Sequence, residues 1–387
     1  MRICVVGSSK RFFSGLTTHT IFLANALAKR GHEVSVVTLR NLVPLFLYPG
    51  RERVGKGEYL VDFAPEVKVC DGMDWNSPRT WLSAIRFINK QKPEAVIMLW
   101  WTSSVAHLQF ILTLGTRLKG QPCLILEMHE VVDPLEEKIL PIRLYSRAAG
   151  RILISQFDFY TTPSKNVKEA VVNIYHMPKE KIHVVPIGVY EQYAASERNE
   201  ARKELNLDGF IVLHFGMIRQ YKGISLLVKA FGLLPENVAE TSNLVIAGED
   251  WGDDQELKMA IEGSRYRQRI IFRSRFIPDH EVPKYFAAAD VVVLPYLRTC
   301  GSGVVNIAVA QGKAVITADL DTMKECLDGY EGASFFPVGN VEALRNSLIK
   351  SYNNWVADGP RTYHFARTSW QSIVEQYEHI IAGVSKS

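Results

Sequence analysis

Cysteine is scarce in this 387-residue chain: Cys4, Cys70, Cys123, Cys300 and Cys326 make an odd number and never fall at a Cys-x-x-Cys spacing. That argues against a disulfide framework or a zinc ribbon and implies reduced thiols in a cytosolic setting. Low-complexity tracts are missing, and 47% hydrophobic with 22% charged residues is the composition of a chain that buries a core. No complete Gly-x-Gly-x-x-Gly occurs, which removes the usual signal for a dinucleotide. No apolar run reads as a bilayer span. Ala95–Thr116 carries no charge and approaches the roughly 20 residues required, but Thr102, Ser103, Ser104, His107 and Gln109 divide it into a strand, a loop and a helix. MRICVVG enters a strand at once, with no basic segment ahead of it, so the expected location is cytoplasmic.

Charge of one sign is not abundant either. The formal net charge is +4, but residues 1–195 carry 24 Lys and Arg against 17 Asp and Glu, and residues 196–387 carry 21 against 24. A basic first half suits an anionic partner such as a phospholipid surface or a phosphate-bearing acceptor, while so scattered an excess argues against nucleic acid. Two segments would serve a peripheral contact at the inner face of a membrane: LVPLFLYPG with Arg51, Arg53 and Lys56, and PIRLYSRAAGRILI.

What is present is alternation. A single core stops growing at roughly 250–300 residues, so two domains are expected. The first half reads as strands at RICVVG, EVSVVTL, EVKVC, AVIMLWW, CLILEM, FYTTP and IHVVPIG. Helical spacing falls in THTIFLANALAKR, which Gly31 ends in a left-handed conformation, in SVAHLQFILTL, and over 78–90, 140–156 and 165–175. The polar, Glu-rich stretch 189–206 reads as the boundary. Alternation restarts with strands GFIVLHFG, NLVIAGE, RIIFRSRF, DVVVLPY and KAVITA, and helices at GISLLVKAFGLL, VPKYFAAA and after Gly303. We therefore expect an α/β chain of two Rossmann-like domains with parallel sheets, 1–190 and 191–364. A C-terminal helix over about 365–387 would pack back on the first, and ligands would sit at the strands' carboxyl ends.

The strongest chemical signal is HFGMIRQYKGISLLVKAF, in which a strand ends at Gly216 and Arg219 and Lys222 stand in the turn before a helix. Two fixed cations there suit a pyrophosphate leaving group. In PYLRTCGSGVVNIAVAQGKAVI, Gly301 and Gly303 allow close backbone approach, and Ser302 is placed to cap a helix whose N-terminus suits a phosphate. LEMHEVVDP puts His129 at a strand end beside Glu127 and Glu130, where an imidazole can meet a sugar hydroxyl. Glu130 and Asp133 also invite a catalytic-base reading. Ser14-Gly15 opens the first helix. Asp319 and Asp321 have the spacing of a Mg²⁺ pair, but an ordinary loop explains them and no metal is expected.

In this order the pieces resemble the retaining glycosyltransferases of family 4, with GT-B architecture. The likeness runs through SGLTTHTIFLANALAKRGHEV, MHE, VVPIGV, FGMIRQYKG, LVIAGE, AADVVVLPY and SGVVNIAVAQGKAVI. It implies two domains facing across a cleft and metal-independent transfer of a hexose-type sugar, with retention, from a nucleoside diphosphate sugar, UDP or GDP, to an acceptor hydroxyl. The acceptor would be a saccharide or a lipid-linked molecule, in polysaccharide, glycolipid or lipid-linked oligosaccharide synthesis, and no cofactor is implied. By resemblance, Arg219 and Lys222 hold the diphosphate, Ser302 and Gly303 offer it backbone groups, Gly15 approaches it from the other domain, His129 meets the donor sugar, and the turn at Phe276 and Ile277 takes the base. Gly216, Cys300 and Gly301 line the same donor region. Where many members have a Glu-x7-Glu pair, this chain has Thr299 and Ile307. It fits the subgroup with a Ser-Gly loop, and Asn306 becomes the candidate for the polar role. The alternatives are a nucleotide-sugar epimerase or hydrolase on the same scaffold and a non-catalytic partner subunit.

Overall fold

The structure, a computed structural model, describes residues 1–11, 15–41, 60–101, 106–129, 150–188, 190, 193, 196–250, 252, 254–299, 301–365 and 368–384. Ser14, Glu130, Asp133 and Cys300, the segment 42–59 with Arg51, Arg53 and Lys56, and the larger part of the segment expected to be helical over 140–156 lie outside these residues.

Two compact units emerge, Met1–Gly188 with Thr368–Ser387, and Val189–Arg367. The first runs β1 (Arg2–Ser8), α1 (Gly15–Lys29), β2 (Glu33–Asn41), β3 (Lys68–Asp74), α2 (Pro78–Gln91), β4 (Ala95–Trp100), α3 (Ala106–Arg117), β5 (Cys123–Met128), β6 (Phe159–Thr162), α4 (Lys165–Tyr175) and β7 (Ile182–Val184). All seven strands are parallel, ordered β3-β2-β1-β4-β5-β6-β7. Helices on a parallel sheet bury its strands on both faces, and β4 and β5 are buried at every residue.

The second unit runs α5 (Arg198–Leu205), β8 (Phe210–Phe215), α6 (Ile224–Gly232), β9 (Ser242–Gly248), α7 (Gln255–Glu262), β10 (Ile270–Ser274), α8 (Val282–Ala288), β11 (Val291–Leu294), α9 (Gly303–Ala310), β12 (Ala314–Ala318), α10 (Asp321–Cys326), β13 (Ala333–Phe336) and α11 (Val341–Asp358). Its six parallel strands are ordered β10-β9-β8-β11-β12-β13. The chain then returns to the first unit as α12 (Trp370–Val384), whose Trp370, Ile373, Val374, Tyr377, Ile380 and Ile381 join the core of β1, β2, β4 and α1. In both sheets the strand order reverses at the start of the unit, beside β1 and beside β8. That is where a doubly wound sheet leaves a crevice at its carboxyl edge. Among the described residues no helix is long and apolar enough to cross a membrane, and the described cysteines are unpaired.

The stretch 189–206, expected to be a boundary without helical pattern, contains α5. Glu197 caps it by accepting from the Glu200 N–H, and Ala201 and Leu205 are buried. Its second anchor is electrostatic. Asp290, with a side chain 2% exposed, takes Arg198 and Arg202 of this helix at 2.6 Å each and accepts from the Ile211 N–H at 2.8 Å. A carboxylate spaced some 90 residues away leaves no periodic trace in the helix's own sequence. Removing one partner of a buried ion cluster strands the others, so Asp290→Asn is expected to cost about 3–5 kcal/mol. Urea unfolding checks this; a loss below about 1 kcal/mol would show the cluster to be solvent-screened.

Candidate functional site

The reversal point of the second sheet is built by the segments that follow β8 and β11. β8 ends at Gly216, whose φ of +109° turns the chain out of the sheet; a Cβ there would stand 3.3 Å from Val304 in α9. Ile218 bridges to Asp250, and Gln220–Lys222 form one turn of 3-10 helix. Gly223 starts α6 at φ +64°, and a Cβ on it would meet the Pro295 carbonyl oxygen at 2.1 Å. Only glycine lets the two carboxyl-end turns approach so closely.

That approach brings Lys222 to Tyr296, two residues past β11. The lysine is 8% exposed, donates from Nζ to Tyr296 Oη at 3.1 Å, and lies 4.5 Å from the centroid of the same ring. Tyr296 Oη is also 3.1 Å from Ser302 Oγ. An ammonium, a phenol and a serine hydroxyl thus form one chain ending at the N-terminus of α9. Ser302 occupies the N-cap position, but its hydroxyl makes no cap bond; it is spent on Tyr296. The capping role expected of Ser302 is therefore corrected: the α9 N–H groups are left without that partner. Gly303 opens the helix with a Cβ position 3.3 Å from Tyr190, and Gly301 faces open space. Thr299 ties the loop, its hydroxyl donating to the Gly301 carbonyl and accepting from the Gly301 N–H. Ile307 is buried in the core, whereas Asn306 is half-buried on α9. Arg219 is half-buried and extended just before the 3-10 turn.

His214 was not anticipated. It is fully buried on β8, with Nδ1 3.0 Å from the Val293 carbonyl oxygen. Burial, with the Lys222 ammonium adding to it, pushes its pKa down to about 3. The ring is therefore neutral beside the lysine.

Phe276 and Ile277 follow β10, with Ile277 buried and the Phe276 carbonyl accepting from Arg275. No hydrogen bond joins them to the Lys222–Tyr296–Ser302 chain among the described residues. Asp321 opens α10 rather than sitting on a loop; it and Asp319 share Lys324 at 3.9 Å each, and Asp319 also accepts from the Val338 N–H at 3.3 Å.

In the first unit Gly15 is exposed at the start of α1, and His129 follows β5 with its N–H donating to the Trp100 carbonyl. The same helix α1 carries His19, whose ring meets that of His129 edge-on at 4.7 Å. Glu127 lies between them. The sequence sets His129 beside Glu127 but gives no sign of His19, because a helix from another part of the chain supplies that contact.

The sign of the His214 shift fixes a pH dependence. Its native pKa lies below the ordinary value near 6.5, so stability is fully present above about pH 6.5 and declines on acidification as unfolded chains bind a proton that folded chains refuse. Between pH 7.5 and 5 this group alone should cost about 2 kcal/mol. His214→Gln keeps a donor for Val293 and should show an acid loss smaller by that amount in urea unfolding at the two pH values; equal losses in both proteins would refute the assignment.

Residues 195–372 match the family described as Glycosyl transferases group 1, and residues 13–193 match Glycosyltransferase Family 4. The chain is 23% identical to the D-inositol 3-phosphate glycosyltransferase of Pseudarthrobacter chlorophenolicus, over 96% of this chain and 93% of that protein. It is also 23% identical to the lipopolysaccharide 1,2-N-acetylglucosaminetransferase of Salmonella typhimurium, over 52% of this chain and only 56% of that protein's length. Among solved structures, HepE of Anabaena in complex with UDP and glucose superposes with a TM-score of 0.68 at 17% identity, covering 100% of this chain and 98% of that one. The architecture is GT-B, and the chain carries two glycosyltransferase domains, one of the Glycosyltransferase Family 4 type over 13–193 and one of the Glycosyl transferases group 1 type over 195–372.

Proposed function

We propose that the chain transfers a hexose-type sugar from a nucleoside diphosphate donor, UDP or GDP, to an acceptor hydroxyl on a saccharide or lipid-linked molecule, with retention at the anomeric carbon and without a metal. The observation that carries this reading is the buried Lys222 ammonium held on Tyr296, the same phenol that holds Ser302 at the start of α9. An ammonium fixed in place costs no reorganisation when charge develops on the leaving β-phosphate, and a helix N-terminus with its cap hydroxyl diverted offers N–H groups to the same anion. Arg219, three residues ahead of Lys222, adds the second cation.

The reaction follows from that charge. As the anomeric bond breaks, the electron pair goes to the diphosphate oxygen. The acceptor hydroxyl attacks from the face the nucleotide leaves, and its proton passes to a phosphate oxygen. Positioning and charge stabilisation supply the rate, so no side-chain base is required. Gly216 and Gly301 give the donor backbone room, Phe276 and Ile277 receive the base, and Asn306 takes the polar role that a Glu-x7-Glu pair fills elsewhere. His129 meets the donor sugar, with Gly15 near the diphosphate. Cys300 belongs to the same donor loop. The HepE complex with UDP and glucose and the sugar-transferring relatives support the donor class.

Thermal shift against UDP-, GDP-, ADP- and dTDP-sugars names the donor: a ligand at about 100 times its dissociation constant adds roughly 2.7 kcal/mol of stability. Lys222→Ala is expected to lower kcat by about 100-fold or more with unchanged far-UV circular dichroism. Full activity in that variant would remove the reading.

A further inference from the structure

Glu127 is a carboxylate one residue from the end of β5, a strand buried at every residue. It sits on β5 between Leu99 of β4 and Thr161 of β6, with its side chain 7% exposed. Burying a charge there costs several kcal/mol, and an apolar residue of similar volume would pack at no such cost. What balances the charge is two imidazoles. Oε1 lies 2.7 Å from Nε2 of His19 and 3.2 Å from Nε2 of His129, whose side chains are 3% and 8% exposed. Burial alone would raise the carboxyl; the charge of His19, then that of His129, outweighs it and holds Glu127 well below the usual carboxylate range.

The surrounding groups close this cluster. Trp370 of α12 lies 5.2 Å from the His19 ring and stacks on Phe22 at 5.5 Å. Tyr377 of the same helix is fully buried, its hydroxyl 3.3 Å from Thr161 Oγ1, with burial and the nearby Glu127 charge raising its pKa. Two imidazoles and a carboxylate also suggest a metal. But ligand atoms around a tetrahedral zinc, at bonds near 2.0–2.1 Å, stand about 3.3 Å apart, and here the His19 nitrogen is already against the oxygen. Neither ring nitrogen meets the carboxylate along its N–H axis, and Glu127 Oε2 has no hydrogen-bond partner among the described residues. Both imidazoles therefore pack against the carboxylate oxygen without an aligned hydrogen bond.

We propose that Glu127 is a positioning residue for sugar transfer: one buried carboxylate oxygen holds the His129 ring in place, with His19 as the counter-imidazole that fixes the carboxylate from the α1 side. The inference rests on the donor-sugar role given to His129. Nε2 of His129 faces Glu127, so Nδ1 is the nitrogen left for a sugar hydroxyl, and the negative oxygen favours the proton on Nε2. Glu127 acts only through that ring and touches no substrate.

A double-mutant cycle tests this in the full chain. Glu127→Gln keeps the shape and removes the charge; kcat is expected to fall about 10- to 100-fold with donor KM within about 3-fold, because misplacement of a reacting contact costs that much. In a His129→Ala background the same change should cost less than about 2-fold. Unchanged kcat in Glu127→Gln, or its full loss persisting without His129, overturns the proposal. If Glu127→Gln does not fold, Glu127→Asp retains the charge but retracts it by one methylene, and the same cycle is run with it. Nitrogen-15 spectra, recorded at a pH where the His129 ring is neutral, read positioning without any substrate. The Nε2–H tautomer should dominate in the wild type and give way to a mixture in the variant, and an unchanged tautomer refutes the proposal. Full activity in His129→Ala would instead sink the donor-contact reading, leaving the tautomer to decide the role of Glu127.

Discussion

A lysine ammonium held against a phenol inside a folded domain is the constraint around which the second unit is arranged. Lys222 cannot reach Tyr296 unless the turn after β8 and the turn after β11 nearly touch. They touch because β8 and β11 are neighbours at the reversal of strand order and because Gly223 has no Cβ to strike Pro295. Topology therefore delivers two chain segments some 74 residues apart to one point, and a glycine sets the final spacing. Neither Tyr296 nor the neutral His214 brings a negative charge, so these two neighbours fix the ammonium without cancelling it. Burying such a group costs stability through desolvation, and an anion bound beside it would offset that cost.

The first unit answers the same problem in the opposite way. Its buried charge is an anion, and the partners that balance it are imidazoles carried by α1 and by the end of β5. The helix that completes the cluster arrives last in the chain: α12 returns after the whole of the second unit to place Trp370 and Tyr377 beside His19 and Thr161. The first unit's core is thus finished by residues 370–384, which also fill the space beneath β1 and β4. Gly188 marks how tight this is, since a Cβ there would stand 2.5 Å from the Trp370 ring.

Most strands were legible because a parallel sheet buried on both faces writes itself as short apolar runs, and RICVVG, AVIMLW and CLILEM could hardly be read otherwise. The elements that escaped have weaker signatures. α5 is a polar octapeptide held by Asp290 from another part of the chain, and α11 extends over 18 residues with only Leu344 and Leu348 buried. β13 is four residues long and partly exposed. Arg219 and Lys222 stood out in the sequence because they bracket a strand-turn-helix junction. Tyr296 was not, because a tyrosine after a buried strand is as often core as it is a hydrogen-bond donor, and only the fold shows what stands opposite it. Ser302 was misread for a related reason: sequence shows a hydroxyl at an N-cap position but not a competing phenol 3.1 Å away.

That competition explains more than a missed cap. A serine that capped α9 would satisfy one of the helix's first N–H groups and reduce what the helix can offer a ligand. By turning its hydroxyl to Tyr296, Ser302 leaves those donors available and at the same time steadies the phenol that carries Lys222. One side chain thereby couples Lys222 to the N-terminal end of α9, so the two cannot drift independently. The glycine on each side supports this: Gly301 opens the space and Gly303 begins the helix against Tyr190. The segment that departs from the Glu-x7-Glu pattern is thus not a vacancy, since Thr299 closes a turn on Gly301 in the loop and Ile307 on α9 is buried.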